Sequence, residues 1–297
     1  MERKGSVAPV SEPLAVGLIG AGPWARMVTG PVLAAGPQTR VTGAWSRTPE
    51  HARELGAALR VAAFDDLDAL LDTCEAVAIA VTPAAQPALA IRAAEAGKTL
   101  LLEKPLGEDV DGAQAIVDAA AKTGVHTLVM LTNRFDPRLQ DFIAEAARIE
   151  PIGGRACFIS GAFLGGPFAH SWRLERGAVL DIGPHVLDLL EGGMGEIVAV
   201  QASGDPLGWV SVNCTHASGA TSSASMCCTA ATSGRTEVEV YSPRGVASFD
   251  ARAVDHEARA DRIRTDLAAV ARGAEHPANA VRALHLQRLI ADIEAQL

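Results

Sequence analysis

The sequence predicts an α/β protein, with a doubly wound parallel sheet in the first half of the chain and an α+β domain in the second. Three observations predict it. A buried strand runs into a glycine-rich turn near the start, apolar strands then alternate with helices, and later strands with period-2 patterning follow one another directly. We place a flexible tail at 1–13, a parallel-sheet domain at 14–132 and an α+β domain at 133–297, whose last helix can pack back on the first domain.

The composition is that of a soluble globular protein, because 48% of the residues are hydrophobic and 21% are charged. The formal net charge of −9 argues against a nucleic-acid surface. No apolar run approaches the roughly 20 residues of a membrane-spanning helix, and the first 13 residues lack the apolar core of a signal peptide. We therefore expect a cytoplasmic protein whose partners are small molecules rather than nucleic acids or membranes.

The cysteines predict neither a disulfide framework nor a metal site. The chain has five, without C-x-x-C spacing and without paired histidines. Scattered thiols of this kind fit a reducing cytoplasm, where a buried thiol is a small hydrophobe. A redox role for the neighbours Cys227 and Cys228 is the alternative, but adjacent residues of a strand point to opposite faces.

A glycine-rich turn follows the first predicted strand, 14–19. The turn reads Gly20, Ala21, Gly22, Pro23, Trp24 and Ala25, a G-x-G-x-x-A pattern. The first glycine permits a tight turn, the second lets a pyrophosphate approach the backbone, and the small third residue lets the next helix pack on the strand. That helix would offer unpaired N–H groups to phosphates. The pattern predicts a dinucleotide site that includes Pro23 and Trp24, with an ordinary glycine turn as the alternative.

The residues after the second predicted strand, 41–45, bear on the choice of dinucleotide. Ser46 and Arg47 stand about twenty residues beyond the glycines, where an acidic residue would favour NAD by binding the ribose hydroxyls. Here the serine can donate to a 2′-phosphate, and the arginine can pair with it and stack on the adenine. The pair favours NADP. In the alternative, Arg47 is a solvated residue ahead of the helix that starts at Thr48-Pro49.

Strands and helices continue to alternate along the first half. The further predicted strands are 60–63, 76–81, 99–102 and 126–131, and the further predicted helices are 65–72, 88–96 and 111–123; helix 137–149 then opens the second half. This alternation predicts a doubly wound sheet whose ligands lie at the carboxyl ends of the strands. Thr82 and Pro83 stop the strand 76–81 at that edge, where we expect the cofactor crevice.

A lysine follows the strand 99–102 in the segment Glu103-Lys104-Pro105. At this edge of the sheet its ammonium can donate a hydrogen bond or a proton to a substrate oxygen as hydride moves. The Lys104–Pro105 peptide bond is a candidate for the cis form. The alternative is an exposed loop lysine.

Three polar residues of the second half stand at helical spacing. Asp181, His185 and Asp188 share one face if a helix starts near Asp181, and Pro184, which is tolerated only in a first turn, indicates that start. An imidazole beside a carboxylate is a general acid or base near neutral pH. The alternative is a histidine that only caps or braces the helix.

Period-2 segments dominate the rest of the second half. The predicted strands are 155–163, 197–203, 209–215, 221–229, 237–241 and 245–249, and the closing helices are 256–272 and 279–296. Strand 221–229 has a small polar face and an apolar face, either of which could meet a second copy or a helix. We expect a homo-oligomer.

Together these residues resemble the glucose–fructose oxidoreductase / inositol dehydrogenase / rhizopine catabolism family, Gfo/Idh/MocA. The resemblance runs from Val16 to about Val200 and rests on G-A-G-P-W-A, Thr82-Pro83, A-G-K-T-L-L-L-E-K-P-L, N-R-F-D-P, W-R and G-A-V-L-D-I-G-P-H-V-L-D. It implies a Rossmann domain and an open-faced sheet domain that holds substrate and often mediates oligomerisation. The sequence departs from the family pattern after Thr82-Pro83, where Ala84 and Gln86-Pro87 replace the common asparagine and histidine. It departs again at Arg176-Gly177-Ala178, where the family usually has three glycines.

The resemblance also implies roles for single residues. Lys104 matches the lysine of the family's E-K-P, and Asp181 and His185 match its D-x-x-x-H pair. His185 would exchange the hydroxyl proton, Lys104 would orient the oxygen, and Asp181 would position the pair. Other implied site residues are Arg134, Trp172 and Arg173 near the substrate, and Thr82, Pro83, Glu103 and Lys104 near the dinucleotide.

We therefore predict an NAD(P)-dependent oxidoreductase, with NADP preferred. It would move hydride between nicotinamide and a secondary alcohol or ketone of a sugar, cyclitol or related small molecule. Two alternatives stay open. One is a reductase of a C=N or pyrrole-type bond, in which Lys104 is less critical, and the other is a dinucleotide-binding sensor or structural protein without turnover.

Overall fold

The computed structural model describes residues 12–167, 169 and 171–297, without the side chain of Ser171. Nearly all of the predicted tail lies outside these residues. Two six-stranded sheets organise the described chain. None of the helices in these ranges is both long enough and apolar enough to span a membrane.

The first sheet is parallel throughout. Its strands are β1 (Leu14–Ile19), β2 (Thr39–Trp45), β3 (Ala62–Phe64), β4 (Ala76–Ile79), β5 (Thr99–Leu102) and β6 (Thr127–Val129), in the order β3-β2-β1-β4-β5-β6. β1, β4 and β5 are buried along their whole length, as in strands covered on both faces. The order reverses between β1 and β4, so their carboxyl ends flank the crevice in which such sheets bind ligands. The predicted parallel sheet is confirmed.

The helices of this half follow the strands with small differences from the prediction. They are a π-helical turn at Ala25–Thr29, which runs into α1 (Gly30–Ala34), then α2 (Pro49–Leu59), α3 (Leu67–Leu71), α4 (Gln86–Glu95) and α5 (Val110–Thr123). The sequence predicts that a strand begins at Arg60. In the structure Arg60 instead ends α2, in the left-handed conformation with a φ of 58°. A left-handed residue reverses the chain at a helix end, which an apolar pattern does not reveal.

A mixed sheet forms the second half. After a 3₁₀ turn (Thr132–Phe135) and α6 (Pro137–Ile149), its strands are β7 (Gly153–Ile159), β8 (Ile197–Gly204), β9 (Val210–His216), β10 (Thr221–Cys227), β11 (Arg235–Ser242) and β12 (Gly245–Asp250). The order is β12-β11-β7-β10-β9-β8, and β7 with β10 is the parallel pair. The other pairings in this sheet are antiparallel, which confirms the prediction. β7 is shorter than predicted, because the chain turns at 161–164.

The helix α7 (Ser171–Met194) is kinked at Gly177, where φ is 77°. A Cβ at Gly177 would lie 2.0 Å from the carbonyl oxygen of Pro206, so a side chain cannot be accommodated there. Helical conformation resumes at Ala178, which places Pro184 inside the helix. The predicted start near Asp181 is therefore wrong. The glycine kink begins this helical segment, and Pro184 is tolerated within it although the carbonyl of Leu180 loses its N–H partner.

The helix α7 packs on one face of the second sheet, where Ala224 and Met226 of β10 are buried. On the opposite face Thr221 and Ser223 are exposed. The sequence left open whether a face of this strand meets a second copy or a helix. The structure shows that its apolar face packs on a helix.

The last two helices, α8 (His256–Val270) and α9 (Ala280–Glu294), pack on the first sheet and its helices. The N–H of Ala280 donates to the Thr127 hydroxyl at 3.0 Å, and Arg264 of α8 donates to the carbonyl of Val32 at 3.1 Å. The end of the chain therefore supports the sheet formed by its beginning.

Candidate active site

The glycine turn after β1 has the shape that a dinucleotide phosphate site needs. Gly20 has a φ of 105°, and a Cβ there would lie 2.3 Å from the carbonyl oxygen of Ala80. A Cβ at Gly22 would meet no described atom within 4 Å. Gly20 is thus required by the turn itself, whereas Gly22 faces open space that a phosphate can enter. Ala25 is buried, as close packing of the helix on β1 requires.

Two further predicted pairs lie at the same edge of the sheet. Ser46 and Arg47 follow β2, and Thr82 and Pro83 come after β4. The Arg47 side chain is exposed, whereas Pro83 is buried. The carbonyl of Thr82 accepts hydrogen bonds from two N–H groups at the start of α4. The topology therefore brings both pairs to the edge where the glycine turn lies.

The side chain of Gln86 holds the Glu103–Lys104–Pro105 segment as it leaves β5. Its amide oxygen accepts from the N–H of Glu103 at 2.9 Å, and its amide nitrogen donates to the carbonyls of Glu103 at 2.8 Å and Leu106 at 3.0 Å. The Lys104–Pro105 peptide bond is cis, the form suggested by the sequence. Sequence reasoning noted Gln86 only as a departure from the family pattern, because nothing in one sequence links residue 86 to residue 103.

The Lys104 side chain reaches α7 and binds Asp181. Its Nζ donates to the carboxylate oxygen Oδ1 of Asp181 at 2.8 Å and to the carbonyl oxygen of the same residue at 2.6 Å. Arg173 Nε lies 3.1 Å from the other carboxylate oxygen, and the guanidinium stacks on Trp172, 4.6 Å from the ring centroid. With 11% of its side chain exposed, Lys104 is not the exposed loop residue of the alternative. Arg173 therefore lies next to Asp181, and Trp172 lies against Arg173.

The two cations decide the charge of Asp181. Burial acts to raise the pKa of its carboxyl group, but Lys104 and Arg173 outweigh this effect and hold the pKa below its ordinary value. Asp181 is therefore a carboxylate at physiological pH, and it fixes the direction of the Lys104 ammonium.

His185 lies one helical turn beyond Asp181 and is buried. Its ring centroid is 6.1 Å from that of Phe158, and its Nδ1 has no hydrogen-bond partner among the described residues. Burial and the charge of Lys104 lower the pKa of the imidazole to about 3, against the opposing effect of the two nearby carboxylates. The sequence alone predicts a pKa near neutrality. In the structure His185 is neutral at physiological pH, so its imidazole can accept a proton, but a pKa this low makes it a weak base.

Glu103 and Trp24, both predicted to lie at the dinucleotide site, contact each other. The indole Nε1 of Trp24 donates to Oε1 of Glu103 at 2.6 Å, and the Thr29 hydroxyl donates to the same oxygen at 3.4 Å. Glu103 is 8% exposed. This carboxyl group therefore faces the glycine turn and the π-helical turn that follows it.

Arg134 and Asp188 belong to a second buried cluster, separate from the one around Lys104. Arg134 Nε donates to the Asp188 carboxylate at 2.7 Å, and Arg282 of α9 donates to it at 2.9 Å. Burial acts to raise the pKa of Asp188, but the two arginines hold it below its ordinary value. The guanidinium of Arg134 is bound to Asp188, so the substrate role predicted for it gains no support from this placement.

Within the described ranges, no group of three or more His, Cys, Asp or Glu side chains is arranged to hold a metal ion. All five cysteines are free thiols, and four of them are buried.

Comparison with known families matches both halves of this architecture. A family model described as an oxidoreductase family with an NAD-binding Rossmann fold matches residues 14–131. A second, described as the GFO/IDH/MocA C-terminal domain, matches residues 154–248. The chain belongs to the Gfo/Idh/MocA oxidoreductase family. The resemblance found in the sequence is confirmed, and the two matches cover the parallel sheet and most of the mixed sheet of this Gfo/Idh/MocA protein.

Individual members of the Gfo/Idh/MocA family are similar over parts of the chain. It is 33% identical over 185 residues to 1,5-anhydro-D-fructose reductase from Ensifer adhaerens, covering 59% of this chain and 54% of that protein. It is 31% identical over 102 residues to UDP-N-acetylglucosamine 3-dehydrogenase from Acidithiobacillus ferrooxidans, covering 34% of this chain and 33% of that protein. The chain thus spans from a third to about half of the length of these relatives.

The fold is shared over a longer range than the sequence. The structure of GenD2 from gentamicin A biosynthesis in complex with NAD superposes with a TM-score of 0.84 at 20% identity. This superposition covers 100% of the chain and 97% of GenD2. The likeness shows that the fold of both halves of the chain is shared with GenD2.

Proposed function

We propose that this Gfo/Idh/MocA protein is an NAD(P)-dependent dehydrogenase or reductase. It moves hydride between nicotinamide and a secondary alcohol or ketone of a sugar or similar small molecule. The observation that carries the proposal is the buried contact of Lys104 with Asp181, made at the carboxyl edge of the parallel sheet. His185 lies one turn along the same helix, so a cation and a proton acceptor meet where such sheets bind their ligands.

Each side chain of this site has one task in the reaction. Asp181 takes two of the three N–H groups of the Lys104 ammonium, which leaves the third for a substrate oxygen. His185 is neutral and accepts the hydroxyl proton when the alcohol is oxidised. Arg173 fixes the second oxygen of the Asp181 carboxylate, so the carboxylate keeps its direction. When bound, nicotinamide takes or supplies the hydride.

The residues of the glycine turn fit a dinucleotide. Gly22 leaves open space at the first helix, and Gly20 lets the turn pass close to Ala80. We further infer that NADP is preferred over NAD. Ser46 and the exposed Arg47 stand after β2 without an intervening carboxylate, and an arginine there favours a 2′-phosphate.

A fluorescence titration with NADPH and, separately, with NADH tests the proposal first. We expect tighter binding of NADPH, and we expect Arg47→Ala to weaken NADPH binding more than NADH binding, because only NADPH loses the contact with the 2′-phosphate. Tighter binding of NADH would refute the NADP preference alone. Binding of neither dinucleotide would overturn the oxidoreductase proposal, because the glycine turn would then be structural.

A carbohydrate substrate is supported by the named relatives, one of which reduces an anhydro-sugar while the other oxidises a nucleotide sugar. We therefore expect sugars or cyclitols to be oxidised, or their ketones reduced, with the change in nicotinamide absorbance as the measurement. Binding of dinucleotide without turnover of any member of such a panel would favour the sensor alternative.

We also propose that the exposed face of the second sheet joins copies of this chain. Thr221 and Ser223 lie on that face, and the family resemblance implies such an assembly. Light scattering during size-exclusion chromatography should give a mass above one chain for the wild type and a lower mass for Ser223→Arg. A wild-type mass of one chain would contradict this.

The five free thiols support a reducing compartment such as the cytoplasm.

A further inference from the structure

Glu103 and Lys104 are neighbours in the chain, yet their side chains bind different elements. Lys104 binds Asp181 of α7 at 2.8 Å. Glu103 accepts the indole N–H of Trp24 at 2.6 Å, and Trp24 stands inside the glycine turn, next to Ala25. One dipeptide therefore connects the turn that would bind a dinucleotide with the cation that would bind the substrate oxygen.

The backbone of this dipeptide is held firmly. The side-chain amide of Gln86 binds both the N–H and the carbonyl of Glu103, at 2.9 and 2.8 Å. β5, which precedes Glu103, is buried along its whole length. The position of the Glu103 carboxyl group is therefore set by the sheet, and the hydrogen bond transmits that position to Trp24.

We propose that Glu103 is a positioning residue. Through its hydrogen bond with Trp24 it holds the glycine turn in the geometry that binds the dinucleotide, in register with Lys104. The inference rests on the proposed function of the turn. It differs from the sequence interpretation, in which Glu103 and Trp24 each contact the dinucleotide directly.

The charge on Glu103 makes this contact sensitive to pH. Burial raises the pKa of its carboxyl group to about 7, although Lys104, on the same segment, and Arg173, on α7, act to lower it. The hydrogen bonds from Trp24, in the glycine turn, and from Thr29, in the π-helical turn that follows, also favour the ionised form. An ionised carboxylate accepts a stronger hydrogen bond than a neutral carboxyl group. The turn is therefore held more firmly above pH 7 than below it.

A double-mutant cycle in dinucleotide affinity tests the proposal. Trp24→Phe keeps an aromatic ring but removes the indole N–H donor. Glu103→Gln keeps the shape of the side chain but removes its negative charge. At pH 8 we expect each variant to bind NADPH about tenfold more weakly, the size expected for loss of one charged hydrogen bond. The double variant should be no weaker than either single variant, because both changes remove one contact. Additive losses, or unchanged affinities in both single variants, would overturn the proposal.

A second measurement needs no dinucleotide. The tryptophan emission of the wild type should change with a midpoint near pH 7, and this change should disappear in Trp24→Phe and in Glu103→Gln. Trp209→Phe is the matched control, since Trp209 is exposed and its indole donates to the hydroxyl of Ser211 on the second sheet. A transition that survives Glu103→Gln would overturn the proposal.

Thermal unfolding of both variants, measured beside their NADPH affinities, separates positioning from a purely structural brace. A brace would lower the Tm of both variants and leave the NADPH affinity of the folded protein unchanged, which contradicts the proposal. If the wild type shows the emission change near pH 7 but binds neither NADPH nor NADH, the proposed function fails, and positioning for a dinucleotide fails with it.

Discussion

Lys104 is the side chain on which the proposed reaction most depends. Its side chain is mostly buried, and two of its N–H groups are bound to Asp181, so its direction is fixed before any substrate arrives. A donor of this kind costs no reorganisation when charge develops on a substrate oxygen. Against the effect of burial, the charges of Lys104 and Arg173 keep Asp181 ionised. Burial, and after it the charge of Lys104, lower the pKa of His185.

Removal of this ammonium should lower turnover strongly and leave the affinity for the dinucleotide nearly unchanged. We expect Lys104→Met to lower kcat by about 10²-fold or more, because a fixed donor to the reacting oxygen is lost. The affinity for NADPH should stay near that of the wild type. Lys122→Met, which changes an exposed lysine in the last turn of α5, is the control and should be fully active. Equal turnover of Lys104→Met and wild type would contradict the mechanism.

Glu103 should make stability depend on pH in a sense unusual for a carboxylic acid. Its pKa is about 7 in the folded protein, against an ordinary value of 4.5. Between these values the folded state binds more protons than the unfolded state, so the contribution of Glu103 to stability falls as the pH rises. Glu103→Gln lacks this titration. From pH 4.5 to pH 8, the free energy of unfolding of the variant should gain about 3 kcal/mol relative to the wild type.

Urea unfolding at several pH values measures this difference. The difference between the two proteins is needed because His185 titrates with the opposite sign. Its pKa falls from 6.5 to about 3 on folding, so its contribution is complete above pH 6.5 and is lost as the pH falls toward 3. Glu108→Gln, which changes an exposed carboxylate of the same segment, should follow the wild type. Parallel curves for Glu103→Gln and wild type would contradict the expectation.

The glycine turn and α7 are the two elements whose shape positions the site. In α7, Arg173 and Asp181 are eight residues apart, a distance of about 12 Å along a straight helix. The kink at Gly177 interrupts the helix between them, and Arg173 Nε lies 3.1 Å from the Asp181 carboxylate. A residue with a side chain at position 177 would collide with the Pro206 carbonyl, so this arrangement depends on glycine.

The two glycines of the turn should respond differently to substitution. In Gly22→Ala the added Cβ meets no described atom within 4 Å, so the Tm should stay unchanged while NADPH binding falls by at least about tenfold, because the methyl group occupies the phosphate's space. In Gly20→Ala the Cβ would lie 2.3 Å from the carbonyl oxygen of Ala80, and residue 20 has a φ of 105°. The free energy of unfolding should therefore fall by about 1–3 kcal/mol. Calorimetry and NADPH titration measure both. Wild-type affinity in Gly22→Ala would show that no phosphate approaches there.

The whole molecule is joined across its two sheets by a buried cluster of charges. Asp188 and Glu191 of α7 are at most 2% exposed in their side chains, and Arg282 of α9 bonds to both. Arg134, from the 3₁₀ turn before α6, completes the pairing of Asp188, and His285 of α9 lies 2.7 Å from Glu191. These contacts tie the helix of the candidate site to the last helix of the chain.

Removal of Arg282 should therefore destabilise the entire molecule. We expect Arg282→Met to lower the free energy of unfolding by about 3 kcal/mol, since it leaves buried carboxylates without part of their compensating charge. Arg288→Met is the control, because Arg288 lies on the same helix but is exposed. Denaturant unfolding measures both. A loss in Arg282→Met no larger than that in the control would contradict a stabilising role for the cluster.

The sequence by itself determined the elements and the local motifs. Burial patterns along β1, β4 and β5, and the turn chemistry around Gly20, act between neighbours in the chain, so they are readable from it. The same holds for α6, whose observed bounds equal the predicted ones. Lys104 and Asp181 could be singled out because each stands in a short motif.

Only the tertiary structure decided which of these residues meet. The bond of Trp24 to Glu103, the support of Glu103 by Gln86, and the capture of Arg134 by Asp188 all join residues far apart in the chain. Such contacts, and the burial that moves the pKa of a carboxyl group or an imidazole, depend on how complete elements pack. A single sequence carries no local signal for them, because each side chain would look the same beside any other partner.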